Sequence, residues 1–164
     1  MISTVRLICI FGWGQPYVNN DNAYTYLLVA ILLSIGLHFL VPIIYVIPSP
    51  WNLIGLIPLF FGIWINISAD RAFKRASTTV KPFEESNVLI QDGAFRFSRN
   101  PMYLGFVSIL LGISLLLRSL SPFLIPFFFA IVVNIVFIRV EERMLEEKFS
   151  EEWKQYRSQV RKWI

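Results

Sequence analysis

Two short polar segments have the residue types and spacing to bind a charged ligand. They read Ser98-Arg99-Asn100-Pro101-Met102-Tyr103 and Arg139-Val140-Glu141-Glu142-Arg143. In the first, an arginine precedes a predicted helix start, where free amides and the helix dipole favour an anion. In the second, paired carboxylates favour an ammonium or sulfonium group. Together the segments predict a site for a zwitterionic ligand. The alternative is that these charges only pair with one another near lipid headgroups.

The helical period limits how many of the paired carboxylates can face such a ligand. Consecutive residues of a helix point about 100° apart, so only one of Glu141 and Glu142 is expected to do so. Glu141 shares a stripe of the predicted helix with Asn134, and Glu142 shares another with Arg139. The pattern leaves open which of the two carboxylates is used.

Other kinds of chemistry are poorly represented in the sequence. The chain has one cysteine and one histidine, so we expect no zinc site of ordinary composition and no internal disulfide. It has no phosphate-binding glycine loop and no nucleophile elbow. His38 is an ionisable residue within an apolar stretch and therefore a candidate, although a neutral histidine hydrogen-bonded to a neighbouring helix is the commoner case.

The elements that must position these residues are membrane-spanning helices. Of the 164 residues, 55% are hydrophobic and 16% are charged, whereas about a quarter are charged in soluble domains. Four apolar stretches are long enough to cross a bilayer, and in lipid they must be helical to pair their backbone groups. They lie at about residues 24–47, 51–69, 101–117 and 122–138. The prediction is a single all-α integral membrane domain over residues 1–164.

Prolines mark the starts of three of these spans. A side chain able to cap a helix precedes each of Pro50, Pro101 and Pro122, which are expected at the first helical position. Ser49, Asn100 and Ser121 are these predicted caps. Pro42, Pro58 and Pro126 lie inside the predicted spans and are expected to kink them.

The basic residues predict the orientation of the chain in the membrane. With the N-terminus in the cytosol, 14 of the 15 basic residues lie on the cytosolic side, and Arg118 is the exception. A cytosolic loop at 71–99 and a cytosolic tail at 139–164 follow, in a bacterial inner membrane or an endoplasmic reticulum. Attraction to anionic membrane lipids explains the net charge of +4, and no basic soluble module suggests a nucleic-acid partner.

The tail is expected to form two helical pieces. The fourth helix should continue to about residue 149, and a short helix should follow at 151–163. The second piece places a row of apolar residues on one side: Trp153, Tyr156, Val160 and Trp163. This pattern is typical of an amphipathic helix at the membrane interface, so membrane anchoring is favoured over ligand contact for these aromatic residues.

The two polar segments, taken with their surroundings, resemble a known family. Residues 93–105 read Gly93-Ala94-Phe95-Arg96-Phe97-Ser98-Arg99-Asn100-Pro101-Met102-Tyr103-Leu104-Gly105. This run is similar to the central motif of the isoprenylcysteine carboxyl methyltransferase family and its phospholipid methyltransferase relatives. Residues 139–145, with Phe149, Trp153, Tyr156 and Val160, resemble that family's C-terminal motif. The resemblance covers about the last seventy residues.

The resemblance implies an integral membrane methyltransferase that uses S-adenosylmethionine. The acceptor would be lipophilic or anchored in the membrane, with an isoprenylcysteine-like carboxylate as one candidate. The cofactor-site residues it implies are Arg99, Pro101, Tyr103, Gly105, Glu141 and Glu142. We hypothesise Glu142 on the cofactor ammonium, Asn100 with the helix start near its carboxylate, and Arg99 near the acceptor.

The sequence departs from the family pattern at three positions. Asn100 stands where many members have histidine, Ser150 replaces the usual glycine after Phe149, and Trp153 replaces a tyrosine. Two other functions therefore stay open. One is a membrane lipid reductase that uses a nicotinamide cofactor. The other is a non-catalytic membrane scaffold that keeps the fold.

Overall fold

The computed structural model describes residues 20–41, 44–76 and 89–164, and this part of the chain is almost entirely helical. The main helices are α1 (Asn20–Leu40), α2 (Leu56–Arg75), α3 (Pro101–Leu117), α4 (Leu124–Val133) and α5 (Arg139–Gln159). Short 3-10 turns lie at Trp51–Gly55, Gly93–Arg96 and Ser121–Phe123, and a π-helical segment, Asn134–Ile138, joins α4 to α5.

Most of these helices are long and apolar enough to cross a membrane. Three such stretches are Ala23–Leu40, Trp51–Arg75 and Ser121–Gln159, and Pro101–Leu117 is a shorter apolar helix. At 1.5 Å per residue, α3 is about 25 Å long, close to the thickness of a bilayer core. The prediction of an all-α integral membrane protein is confirmed. The predicted third span, 101–117, coincides with α3.

The predicted first span, 24–47, is wrong at its C-terminal end. Helix α1 ends at Leu40, and Tyr45 forms an antiparallel bridge with Ser119. The Val46 amide donates to the Arg118 carbonyl (2.9 Å), and the Leu120 amide donates to the Ile44 carbonyl (3.0 Å). Pro42, where a kink is predicted, lies outside the described residues. The apolar composition of residues 44–47 favours a helix, whereas the backbone of Ile44 and Val46 pairs with the α3–α4 turn.

The second span is longer than predicted. Helix α2 runs to Arg75, so it includes the first five residues of the predicted cytosolic loop, 71–99.

Two prolines that are expected to kink the spans lie near helix starts instead. Pro58 and Pro126 fall in the first turns of α2 and α4, each directly after a 3-10 turn. Proline is tolerated close to the start of a helix because it disturbs few of the bonds that follow. The expected kinks at these prolines are replaced by a change from 3-10 to α geometry.

The predicted caps also serve other purposes. The residue before the first 3-10 turn is Pro50 rather than Ser49, and Ser121 lies inside its turn. The Ser121 hydroxyl donates to the Val41 carbonyl (2.6 Å), which ties the end of α1 to the start of α4. Asn100 precedes α3 as predicted but makes no capping bond to it.

Glycines bring α2 and α3 into backbone contact. Gly62 lies against the Gly105 carbonyl, and the 3-10 residue Gly55 lies against the Gly112 carbonyl seven residues further along α3. Small residues allow helix backbones to approach closely in membranes, where association depends on van der Waals packing. This contact sets the position of α3, and α3 in turn carries the first polar segment at its N-terminus.

The break predicted in the tail is present at Ser150. This residue has φ 40° and ψ −100° inside α5, so the helix changes direction there. Beyond the break, Trp153 and Tyr156 are 1% and 3% exposed and pack with Leu89 in a buried cluster. The prediction that this aromatic face anchors the tail in the membrane is wrong, because the face packs against the protein itself.

Candidate functional site

The two polar segments meet at one end of the helical bundle, as the sequence predicts. Tyr103, in the first turn of α3, donates a hydrogen bond of 2.6 Å from its hydroxyl to Glu141 Oε1 in the first turn of α5. The tyrosine is buried. This bond is charge-assisted when the carboxyl is ionised, and it fixes the start of α3 against the start of α5.

A second contact joins three charged side chains. Arg99 Nη2 lies 3.2 Å from Glu142 Oε1, and their side chains are 8% and 16% exposed. Lys162 Nζ lies 3.0 Å from Glu142 Oε2. Burying an ion pair carries a desolvation cost that only good geometry and further hydrogen bonds recover. Glu142 is therefore the central anion of the site and faces two cations.

Both glutamates contact neighbouring side chains, and the expectation that only one faces a ligand stays a prediction. Glu141 accepts from Tyr103, whereas Glu142 faces Arg99 and Lys162. The two carboxylates thus have separate partners: Glu141 has Tyr103, and Glu142 has Arg99 and Lys162. Sequence spacing could not show this, because the partners of Glu142 lie on a loop and on the tail.

The π-helical segment places Asn134 on the same face as Glu142. Lys162 Nζ lies 3.4 Å from Asn134 Oδ1 and also contacts Glu142. Eight residues of regular α-helix would turn these side chains about 80° apart. The wider turn of a π-helix takes up roughly one residue, which leaves about 20° between them. The stripe predicted from a regular helix, with Asn134 beside Glu141, is therefore wrong.

The end of the chain lies across the start of α3. The Arg99 amide donates to the Arg161 carbonyl (3.0 Å). The Ser98 hydroxyl and the Asn100 side-chain amide each donate to the Lys162 carbonyl at 3.2 Å. We call residues 161–163 the tail strap. Asn100, predicted to cap α3, holds this strap instead.

Several buried polar atoms at the site have no hydrogen-bond partner within the described part of the chain. They are Arg99 Nε, Arg99 Nη1, Glu142 Oε1 and Trp153 Nε1. The Arg99 guanidinium also lies over the Trp153 ring, 5.5 Å from its centroid. An unpaired buried donor costs about 1–3 kcal/mol, so the unpaired N–H groups of Arg99 and Trp153 are candidate donors to an acceptor from a ligand. The sequence analysis missed Trp153 as a site residue.

The other predicted site residues are placed as follows. Pro101 begins α3 and is fully buried. Gly105 lies against Asn66 and Ile65 of α2, so the close approach at this glycine is between helices. Its role in cofactor binding, like that of Pro101, stays a prediction.

His38 is remote from the two polar segments. Its Nδ1 lies 2.8 Å from the Ser119 hydroxyl, just beyond the C-terminal end of α3. The glutamates lie at the opposite end of that helix. The commoner interpretation, a histidine hydrogen-bonded to a neighbouring element, agrees with this contact.

The family resemblance found in the two polar segments agrees with comparisons to known proteins. The profile of the phospholipid methyltransferase family matches residues 51–152. A protein-S-isoprenylcysteine O-methyltransferase of Saccharomyces cerevisiae is 36% identical over 95 residues, which are 57% of this chain and 38% of the yeast protein. An uncharacterized protein of Haemophilus influenzae is 38% identical over 63 residues, 38% of this chain and all of that protein.

No solved structure matches the chain. The matched region spans less than half of the yeast protein's length. The family match at residues 51–152 contains α2, α3 and both glutamates, whereas Trp153 and Lys162 lie beyond it. Because the family profile covers more than half of the sequence, the chain belongs to the phospholipid methyltransferase family.

Proposed function

We propose that this protein is a membrane methyltransferase that moves a methyl group from S-adenosylmethionine to a lipophilic or membrane-anchored acceptor. The observation that carries the proposal is the buried Arg99–Glu142 pair at the meeting point of α3 and α5. Its unpaired nitrogen donors support a ligand with an anionic group, and its carboxylate supports one with an ammonium group.

The polar groups present fit the amino-acid portion of S-adenosylmethionine, which carries both charges. Glu142 is the carboxylate for its ammonium group. The amides at the start of α3, together with Asn100, suit its carboxylate. An asparagine side chain has two amide hydrogens, and the bond to the tail strap uses one of them. When bound, the cofactor supplies a methyl group already activated by a positive sulfonium.

Arg99 suits an anionic acceptor. Two of its nitrogens are unpaired, and its charge is held in place by Glu142 and by the Trp153 ring. Catalysis would then consist mainly of alignment, with Arg99 orienting the acceptor carboxylate. A carboxylate acceptor needs no general base, and a site poor in water favours the reaction of opposite charges. Arg99 and Glu142 are the proposed catalytic residues.

An amine acceptor would need a general base, and the candidate bases differ in their distance from the proposed site. His38 lies at the far end of α3, beside Ser119. Glu141 and Glu142 are the carboxylates near the proposed site, and each is already engaged by a neighbour. These positions favour a carboxylate acceptor. The yeast relative's name, which specifies an isoprenylcysteine, points to an acceptor of the same chemical kind.

The membrane placement follows from the same proposal. With both termini in the cytosol, the site opens toward the water-soluble cofactor, while a lipophilic acceptor can reach it from the bilayer. The basic residues support this orientation through the positive-inside pattern. A bacterial inner membrane and an endoplasmic reticulum both satisfy it.

The first test is binding of S-adenosylmethionine to the detergent-purified protein by calorimetry. We expect saturable binding in the wild type and its loss in Glu142→Gln and Arg99→Ala. Glu147→Gln is the matched control, because this exposed glutamate lies on the same helix away from the site and should bind normally. Binding that survives in Glu142→Gln would remove Glu142 from the site.

The same sample tests the two competing functions. Oxidation of a reduced nicotinamide in the presence of unsaturated lipid would favour a reductase. A folded wild type that binds neither cofactor would favour a scaffold protein. Methyl transfer from labelled S-adenosylmethionine to an isoprenylcysteine analogue, absent in Glu142→Gln, would identify both the activity and the acceptor class.

A further inference from the structure

The Lys162 side chain lies where the ammonium group of a ligand is expected. Its Nζ is 3.0 Å from Glu142 Oε2, and Glu142 is the carboxylate proposed to bind the cofactor amino group. Lys162 and that amino group are chemically alike, since each is an ammonium with three donors. A second ammonium group beside this carboxylate would be repelled by the positive charge of Lys162, so the two compete for Glu142.

The main chain of the tail strap is fixed independently of this side chain. Three hydrogen bonds, from the Arg99 amide, the Ser98 hydroxyl and the Asn100 side chain, end on the carbonyls of Arg161 and Lys162. The Lys162 side chain is 30% exposed, about twice the exposure of Glu142. A lysine stem is long and flexible. The ammonium can therefore move into solvent while the strap stays in place.

We propose that Lys162 is an internal counter-ion of Glu142 that the ammonium group of the cofactor displaces, which makes Lys162 a determinant of ligand affinity and selectivity. This inference rests on the proposed function, in which Glu142 binds that ammonium. In the ligand-free protein, Lys162 offsets the cost of a partly buried carboxylate. A ligand without an amino group gains nothing from Glu142 and has no reason to displace Lys162.

The test compares two ligands on the full-length chain in detergent by calorimetry. S-adenosylmethionine carries the ammonium group, whereas 5′-methylthioadenosine has the same nucleoside and lacks both the amino-acid portion and the sulfonium charge. The variants are Lys162→Gln and Lys162→Met, which both remove the charge, the second with an unbranched apolar stem. Arg161→Gln is the matched control, because it removes an adjacent exposed charge and keeps the carbonyl that accepts from Arg99.

Removal of the Lys162 charge should tighten binding of S-adenosylmethionine by about three- to tenfold, the range expected for release from a partly exposed ion pair. The affinity for 5′-methylthioadenosine should change by less than about twofold, a difference too small to reflect an ion pair. Arg161→Gln should leave the affinities for both ligands unchanged.

Three results would overturn the inference while leaving the proposed function intact. Weaker S-adenosylmethionine binding in both Lys162 variants would show that Lys162 itself holds the ligand. Equal tightening for both ligands would show a general loosening of the tail strap. Unchanged affinity would show that the Lys162–Glu142 contact has no energetic effect on binding. Failure of the wild type to bind S-adenosylmethionine would instead remove the proposed function, and this inference with it.

Discussion

Replacing Gly62 by alanine should push α2 and α3 apart. A Cβ atom at this position would lie 2.5 Å from the Gly105 carbonyl oxygen, 2.8 Å from Ile109 Cγ1 and 2.9 Å from the Ile109 amide nitrogen. Two of these neighbours are backbone atoms of a helix, so they cannot move without the helix. The added methyl group has no space unless the helices separate.

The expected magnitude comes from two opposing terms. Alanine favours a helix over glycine by about 1 kcal/mol. Overpacking a close contact costs about 1–3 kcal/mol. Gly36→Ala in α1 is the matched control, because a Cβ there meets nothing within 4 Å and only the first term applies. The two variants should therefore differ in stability by about 1–3 kcal/mol, with Gly62→Ala the less stable.

Thermal unfolding in detergent, followed by circular dichroism, measures this difference. Comparing two glycine-to-alanine variants of one protein cancels most effects of the micelle. If both variants gained the same stability, the helices could not be in backbone contact at Gly62. The positioning of α3 by α2 would then lose its support.

Two further predictions concern the site and the tail. Ser150→Gly should stabilise the protein by about 1 kcal/mol, because a non-glycine residue at φ 40° and ψ −100° is strained. Ser158→Gly, in a regular part of α5, should destabilise it by about 0.5 kcal/mol in the same unfolding assay, and a loss of stability in both would contradict the strain argument. Tyr103→Phe should cost about 1.5–3 kcal/mol because it removes the hydrogen bond to Glu141. Glu141→Gln in the Tyr103→Phe background should then add little, and additive losses would show that the two residues act separately.

Local signals in the sequence predicted α3 well. Pro101 is favoured at a first helical position, and the apolar run ends near Leu117, where the helix ends. The end of α1 could not be predicted in the same way. Residues 44–47 are as apolar as a span, and their extended form depends on pairing with residues 118–120, which are distant in sequence.

The site likewise has some contacts that the sequence predicts and others that it does not. Resemblance and spacing brought Arg99, Tyr103 and the glutamates together, and their contacts agree with that prediction. The sequence does not predict the tail strap, because Lys162 reaches Glu142 only after the chain turns back past Ser150. Trp153 was assigned to lipid because an amphipathic face looks the same whether a membrane or the protein covers it.

The π-helical segment has a consequence for how this helix tolerates changes in length. Removing one residue from Asn134–Ile138 would restore a regular α-helix and still keep Glu142 on the face of Asn134, because the wide turn takes up about one residue. Converting the segment to a regular α-helix at its present length would instead turn Glu141 and Glu142 by about 100° away from α3, although the apolar span before them would be unchanged. The wide turn therefore separates two patterns along one helix. The membrane span sets which of its own residues face lipid, and the carboxylates beyond the turn keep their orientation toward α3.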